Sequence, residues 1–170
     1  MDIQIGTTPI CCLPYKLSLG KEKQLLLLSK EVETIIYLKD LSTWKELEIE
    51  DMKLDLIYCI NKNENVMFIG SEYGGKIYIL DLKEIKILQV INIDRDEEEI
   101  WNRLFFLIPP DQHCAVVLSD MALLVLSWRG EILAQYSLYV NDSFEAIHNQ
   151  AVVLYGTPEE KIFELPLTGF

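Results

Sequence analysis

Two histidines and four cysteines are the residues of this chain best suited to nucleophilic or metal chemistry, and their spacing supports neither. His113 stands directly before Cys114, so strand alternation sends the two side chains to opposite faces and denies them the contact that a Cys–His pair needs. His113 and His148 read as loop-edge residues, and Cys114 reads as core. Cys11, Cys12, Cys59 and Cys114 contain no Cys-x-x-Cys pair, and no His/Cys cluster has zinc spacing. Adjacent Cys11 and Cys12 face opposite ways along a strand, so the thiols read as small hydrophobes in a reducing compartment.

Phosphate and carboxylate chemistry fare no better. Gly74-Gly75 sits between apolar strands with no helix to hold a phosphate, and there is neither a Gly-x-Gly-x-x-Gly nor a Walker loop. The run Asp94 to Glu99 attracts Ca²⁺ weakly, because it lacks the alternating oxygen ligands and turn glycine of a dedicated site. Among 27 Asp and Glu residues nothing sets two apart as a glycosidase acid and base. The expectation is a chain with no enzymatic activity, no cofactor and no metal.

What the carboxylates do offer is a field. The net charge of −12 disfavours nucleic acid and anionic membrane surfaces and favours a basic partner. Half of the residues are hydrophobic and a quarter charged, the composition of a globular chain. Its 170 residues are expected to form a single β domain, 1–170. The start, Met1 to Ile5, has no positive n-region, and no apolar run approaches the roughly 20 residues of a membrane span. A cytoplasmic location follows as an expectation.

The elements that must hold these acids announce themselves by repetition. Ile36-Tyr37-Leu38-Lys39-Asp40-Leu41 recurs as Ile77-Tyr78-Ile79-Leu80-Asp81-Leu82, an offset of 41 residues. Leu26-Leu27-Leu28-Ser29 and Met67-Phe68-Ile69-Gly70 keep the same offset, as do Leu47 with Leu88 and Ile49 with Val90. A period near 40 made of short apolar strands points to propeller blades. Apolar runs and turn residues predict four antiparallel meander units. The first holds strands over 10–17, 24–28, 34–38 and 46–49, the second over 55–60, 66–69, 76–80 and 86–93. The third holds 103–108, 114–118, 122–127 and 131–139. The fourth has 144–147, 151–155 and 161–165, and lacks a last strand that Asp2 to Ile5 could supply. Surplus residues 94–102 predict one short helix near 96–104, capped by Asp96. The fold class is therefore all-β, a small or half propeller.

The second unit, with Gly70-Ser71 ahead of Lys76 to Leu82, resembles blades of the WD-repeat and quinoprotein-like propellers. Gly-His and Trp-Asp dipeptides are missing, and Trp44 and Trp128 fall just after the third strand rather than closing it. The resemblance implies architecture and carries no functional residue across.

Meander order assigns each loop to one of two faces. One face receives Glu31, Glu33, Glu48, Glu50, Asp51, Glu72, Asp94, Asp96, Glu97, Glu98, Glu99, Asp120, Asp142, Glu159 and Glu160, against Lys30, Lys53 and Arg95. The other carries Lys21, Lys23, Lys45, Lys62, Lys83, Lys86 and Arg129, balanced by nearby acids. Each acid taken alone reads as a solvated loop residue; together they make a rim that would steer a basic protein. Trp101 and Tyr73 are candidate anchors for it, with packing into the domain as their alternative. In size, acidity and lack of catalytic residues the chain is similar to bacterial toxin immunity proteins. That likeness implies an inhibitor of a basic, nuclease-type toxin. The alternative is a structural propeller fragment, completed by self-association or another subunit.

Overall fold

A computed structural model describes residues 8–10, 15–18, 23–30, 33–40, 43–47, 56–71, 75–93, 104–109, 111–119, 122–137, 144–148, 150–157 and 160–170. All of the regular structure among them is antiparallel β-sheet, as the sequence pattern predicts. The predicted helix near 96–104 lies, apart from the non-helical Leu104, outside the described residues, and so does Asp2 to Ile5. The chain divides into two compact units, Thr8–Arg95 and a second that takes in Asp96–Phe170.

In the first unit the strands are β1 (Thr8–Ile10), β2 (Tyr15–Ser18), β3 (Lys23–Lys30), β4 (Glu33–Asp40), β5 (Thr43–Leu47), β6 (Leu56–Asn61), β7 (Val66–Ser71), β8 (Lys76–Asp81) and β9 (Lys86–Asn92). They form one sheet in the order β2-β3-β4-β5 and another in the order β1-β6-β7-β8-β9. The single strand predicted over 10–17 is thus divided. Thr8–Ile10 pairs with Leu56–Tyr58 of the second sheet, while Tyr15–Ser18 stays with the first. Buried Ile10 explains the exchange, because it joins Leu56, Tyr58, Met67, Ile69, Tyr78 and Leu80 in one apolar cluster. Trp44 lies within β5, opposite Lys39, rather than between strands.

The second unit contains β10 (Phe105–Leu107), β11 (Ala115–Leu118), β12 (Ala122–Leu126) and β13 (Ile132–Ser137) in one meander sheet. It also contains β14 (Phe144–His148), β15 (Ala151–Thr157) and β16 (Glu160–Pro166) in a three-stranded one. Leu107, Cys114, Val116, Leu118, Leu123 and Val125 of the former share a core with Val152 and Leu167 of the latter. Tyr136 meets Phe163 edge-on at 5.9 Å between ring centres, a geometry that favours aromatic pairs.

Burial falls from inner to outer strands. In β7 every residue is buried, and in β8 all but Lys76, so both faces of these strands are covered and their residues read as continuous apolar runs. The last strands, β9 and β13, are mostly exposed or half-buried. Phe68 and Phe106, both at 0% exposure, are the largest fully buried side chains among the described residues.

Candidate functional site

Antiparallel order gives each sheet two ends with different furniture. In the five-stranded sheet the β6–β7 and β8–β9 turns occupy one end. The other end holds the β7–β8 connection and the exit of β9, joined by the Ile93 N–H, which donates to the Gly75 carbonyl at 2.7 Å. In the β10–β13 sheet the Ser119 N–H donates to the Ala122 carbonyl at 2.9 Å across the β11–β12 turn. Ala122 in turn pairs with Ser137, the last residue of β13. The exit of β13 and the β11–β12 turn therefore share an end.

Glu48, Glu50 and Asp51 fall between β5 and β6, and Glu72 and Tyr73 between β7 and β8. Asp94, Asp96, Glu97, Glu98, Glu99 and Trp101 fall between β9 and β10, Asp120 between β11 and β12, Asp142 between β13 and β14, and Glu159 between β15 and β16. All of these lie outside the described residues. Glu160 opens β16, paired with Thr157. The described strand ends thus flank the acid-bearing connections.

The described residues of the opposite ends carry mixed charge. Lys62 and Glu64, Lys83 and Glu84, and Arg129 and Glu131 are exposed there. Each turn is closed by its own side chain. Asn61 Oδ1 accepts from Asn63 N–H at 3.0 Å and Glu64 N–H at 3.2 Å. Asp81 Oδ1 accepts from Lys83 N–H at 2.8 Å and Glu84 N–H at 2.9 Å. Ser127 Oγ accepts from Arg129 N–H and Glu131 N–H. Gly130 then takes φ 91°, as the third position of a three-residue hairpin loop requires. Such Asx and Ser turns follow from short polar side chains placed at strand ends.

One group of contacts was not legible in the residue spacing. The His113 ring meets the Asp111 carboxylate through Nδ1, and its Nε2 donates to the Leu167 carbonyl at 2.8 Å. Beside it the Trp128 indole N–H donates to the Gln112 carbonyl at 2.7 Å. Desolvation pulls the His113 pKa down, but the Asp111 hydrogen bond, the Leu167 carbonyl and the Asp111 charge together raise it above the ordinary histidine value. The same hydrogen bond lowers the Asp111 pKa. The Asp111-x-His113 spacing across a turn was the only sequence signal. Leu167, 54 residues away, had none.

Burial pushes the Cys59 thiol far above its ordinary range and raises Cys114 to about 11, against an ordinary value of 9.0. Neither is a nucleophile in this state. Among the described residues no three His, Cys, Asp or Glu side chains gather as a metal site. Among the described residues there is no helix long and apolar enough to cross a membrane.

No family model matches the chain, and no curated protein matches it. Among solved structures it is similar to "KlHsv2 with loop 6CD replaced by a Gly-Ser linker", at 12% identity and a TM-score of 0.42. The match covers 91% of this chain and 63% of that one, so the chain spans less than two thirds of that structure's length.

Proposed function

We propose that this chain is a non-catalytic, cytoplasmic binding protein that captures a basic partner through its acidic connections. The concrete form of the reading is an immunity protein that neutralises a nuclease-type toxin. The observation that carries it is the Ile93–Gly75 hydrogen bond. It draws the exit toward Asp94 to Glu99 and the connection bearing Glu72 to one end of one sheet, while the opposite end is electrically mixed. A nuclease binds phosphate with cationic groups, so a carboxylate-rich cap can cover its site and stand in for the charge of the substrate. The buried free thiols Cys59 and Cys114 fit a reducing compartment.

The test is association kinetics with a basic, nuclease-type toxin domain, at low and high salt. The expected on-rate is about 10–1000-fold above that of an uncharged pair at low salt and falls steeply as salt rises. Changing Asp96, Glu97, Glu98 and Glu99 together to alanine is expected to slow capture and flatten that salt dependence. Unchanged kinetics in the variant would sink the acidic-rim reading.

A second reading, a scaffold completed by a second copy of the chain, draws on outer strand β13, where Ile132 and Leu133 are exposed. Sedimentation of the chain at low concentration decides it: a stable monomer counts against the scaffold.

A further inference from the structure

Two segments of the second unit, distant in sequence, meet at one titratable ring, and a third is tied to them through the Leu167 N–H. The β10–β11 turn presents Asp111 and His113, the segment after β16 presents the Leu167 carbonyl, and the β14–β15 turn receives the Leu167 N–H on the Gln150 carbonyl at 2.7 Å. Both nitrogens of His113 face oxygen acceptors. A neutral imidazole has one N–H and one lone pair, so only the doubly protonated ring can donate on both sides. We propose that His113, as an imidazolium, is a pH-sensitive latch that fastens the segment at Leu167 to the β10–β11 turn, and that loss of its proton loosens that segment.

The geometry shows why one proton matters. After deprotonation the ring keeps a single N–H. If Nδ1 keeps it, a lone pair on Nε2 faces the Leu167 carbonyl; if Nε2 keeps it, a lone pair faces the Asp111 carboxylate. Either arrangement turns one attraction into a repulsion. Leu167 is the last buried residue of the segment, since Thr168, Gly169 and Phe170 are all exposed. The latch therefore acts at the boundary where packing gives out. Asp111 supplies the charge acting on the ring among the described residues. Cys114 beside it is a buried thiol that stays neutral. Arg129 and Glu131 in the β12–β13 turn and Glu164 in β16 are, among the side chains described, the other charged groups of the adjoining elements, and the ionisation of His113 is set by desolvation, Asp111 and the Leu167 carbonyl. The ring is a quarter exposed, so protons reach it without unfolding.

Amide hydrogen exchange of the full chain tests the latch. It is read as protection factors, so that the base catalysis of exchange divides out. The Leu167 N–H is followed against the Ser119 N–H, which is bonded to Ala122 in the same unit. Protection of Leu167 is expected to fall roughly tenfold as His113 loses its proton, with Ser119 unchanged. His113→Gln should abolish the pH dependence, and Asp111→Asn should move its midpoint to lower pH. A flat Leu167 profile in the native chain, an equal loss at both amides, or an unaltered profile in His113→Gln overturns the proposal. Should His113→Gln fail to fold, the native His113 ring resonances decide. A ring still carrying both protons near pH ~6.5 supports the latch, and a neutral ring there overturns it.

Discussion

The Leu82 N–H donates to the Asn65 carbonyl at 2.8 Å, and the Leu167 N–H donates to the Gln150 carbonyl at 2.7 Å, the same relation in two different sheets. In each case the acceptor sits in a left-handed conformation, Asn65 with φ 54° and Gln150 with φ 60°. Each donor is a buried leucine just beyond the third strand of its meander. The bond ties the third strand's exit to the turn between the first two strands, so it locks the meander at that end.

That relation sets the response to glycine at position 150. A left-handed residue with a Cβ costs about 1–2 kcal/mol, and Gln150 is only half-buried, with little packing to lose. Gln150→Gly is therefore expected to stabilise the chain by about 0.5–1 kcal/mol after the larger unfolded-state entropy of glycine is counted. The urea midpoint reads it directly, and a drop would contradict the strain argument.

Ile85 reverses the sign. Its φ of 53° is unfavourable for a β-branched residue, yet the side chain is buried in the cluster around Leu80 and Leu82. Relief of about 1–2 kcal/mol of strain is outweighed by about 1.5–3 kcal/mol of lost burial and by the cavity left behind. Ile85→Gly should lower the thermal midpoint.

Asn61 closes its turn with one oxygen shared between two N–H groups, and it is only 2% exposed. Asn61→Ala leaves both donors without that acceptor and should destabilise by about 1–2 kcal/mol. The loss would show as a lower urea midpoint with an unchanged slope.

The thiols Cys59 and Cys114 should resist alkylation near neutral pH, because the thiolate is the reactive form and burial suppresses it. Peptide mass spectrometry after brief iodoacetamide exposure should find both unmodified in the native chain and both labelled in urea. Labelling of Cys59 under native conditions would mean that its sheet opens locally.

The pair Asp111–His113 predicts how stability depends on pH. His113 has a raised folded pKa, so its contribution is complete below the ordinary ~6.5 and fades as pH climbs through the elevated value. Asp111 has a lowered pKa, so its contribution holds above the ordinary ~3.9 and fades as pH falls through the depressed value. The urea midpoint of the native chain minus that of His113→Gln should be greatest between these two and should shrink on either side.

The repeat at 41 residues made the meander legible before any coordinates, because alternation and turn residues are local properties. Strand register was less accessible. In the first sheet Leu26 pairs with Tyr37, but in the second its counterpart Met67 pairs with Leu80, not Tyr78. A shift of two residues keeps every side chain on its face, so the hydrophobic pattern is blind to it. Connection length sets the difference, with Lys30 opposite Glu33 in one hairpin and Gly70 opposite Ile77 in the other.

By itself, then, the sequence determined that the described apolar runs are antiparallel β and that the acids crowd into the connections between them. Tertiary structure alone decided that Thr8–Ile10 joins the second sheet and that His113 reaches Leu167. The physical reason is range. Alternation and turn chemistry act over a few neighbouring residues, whereas these two contacts close loops of about fifty, and only packing of the finished core selects which distant partner is met.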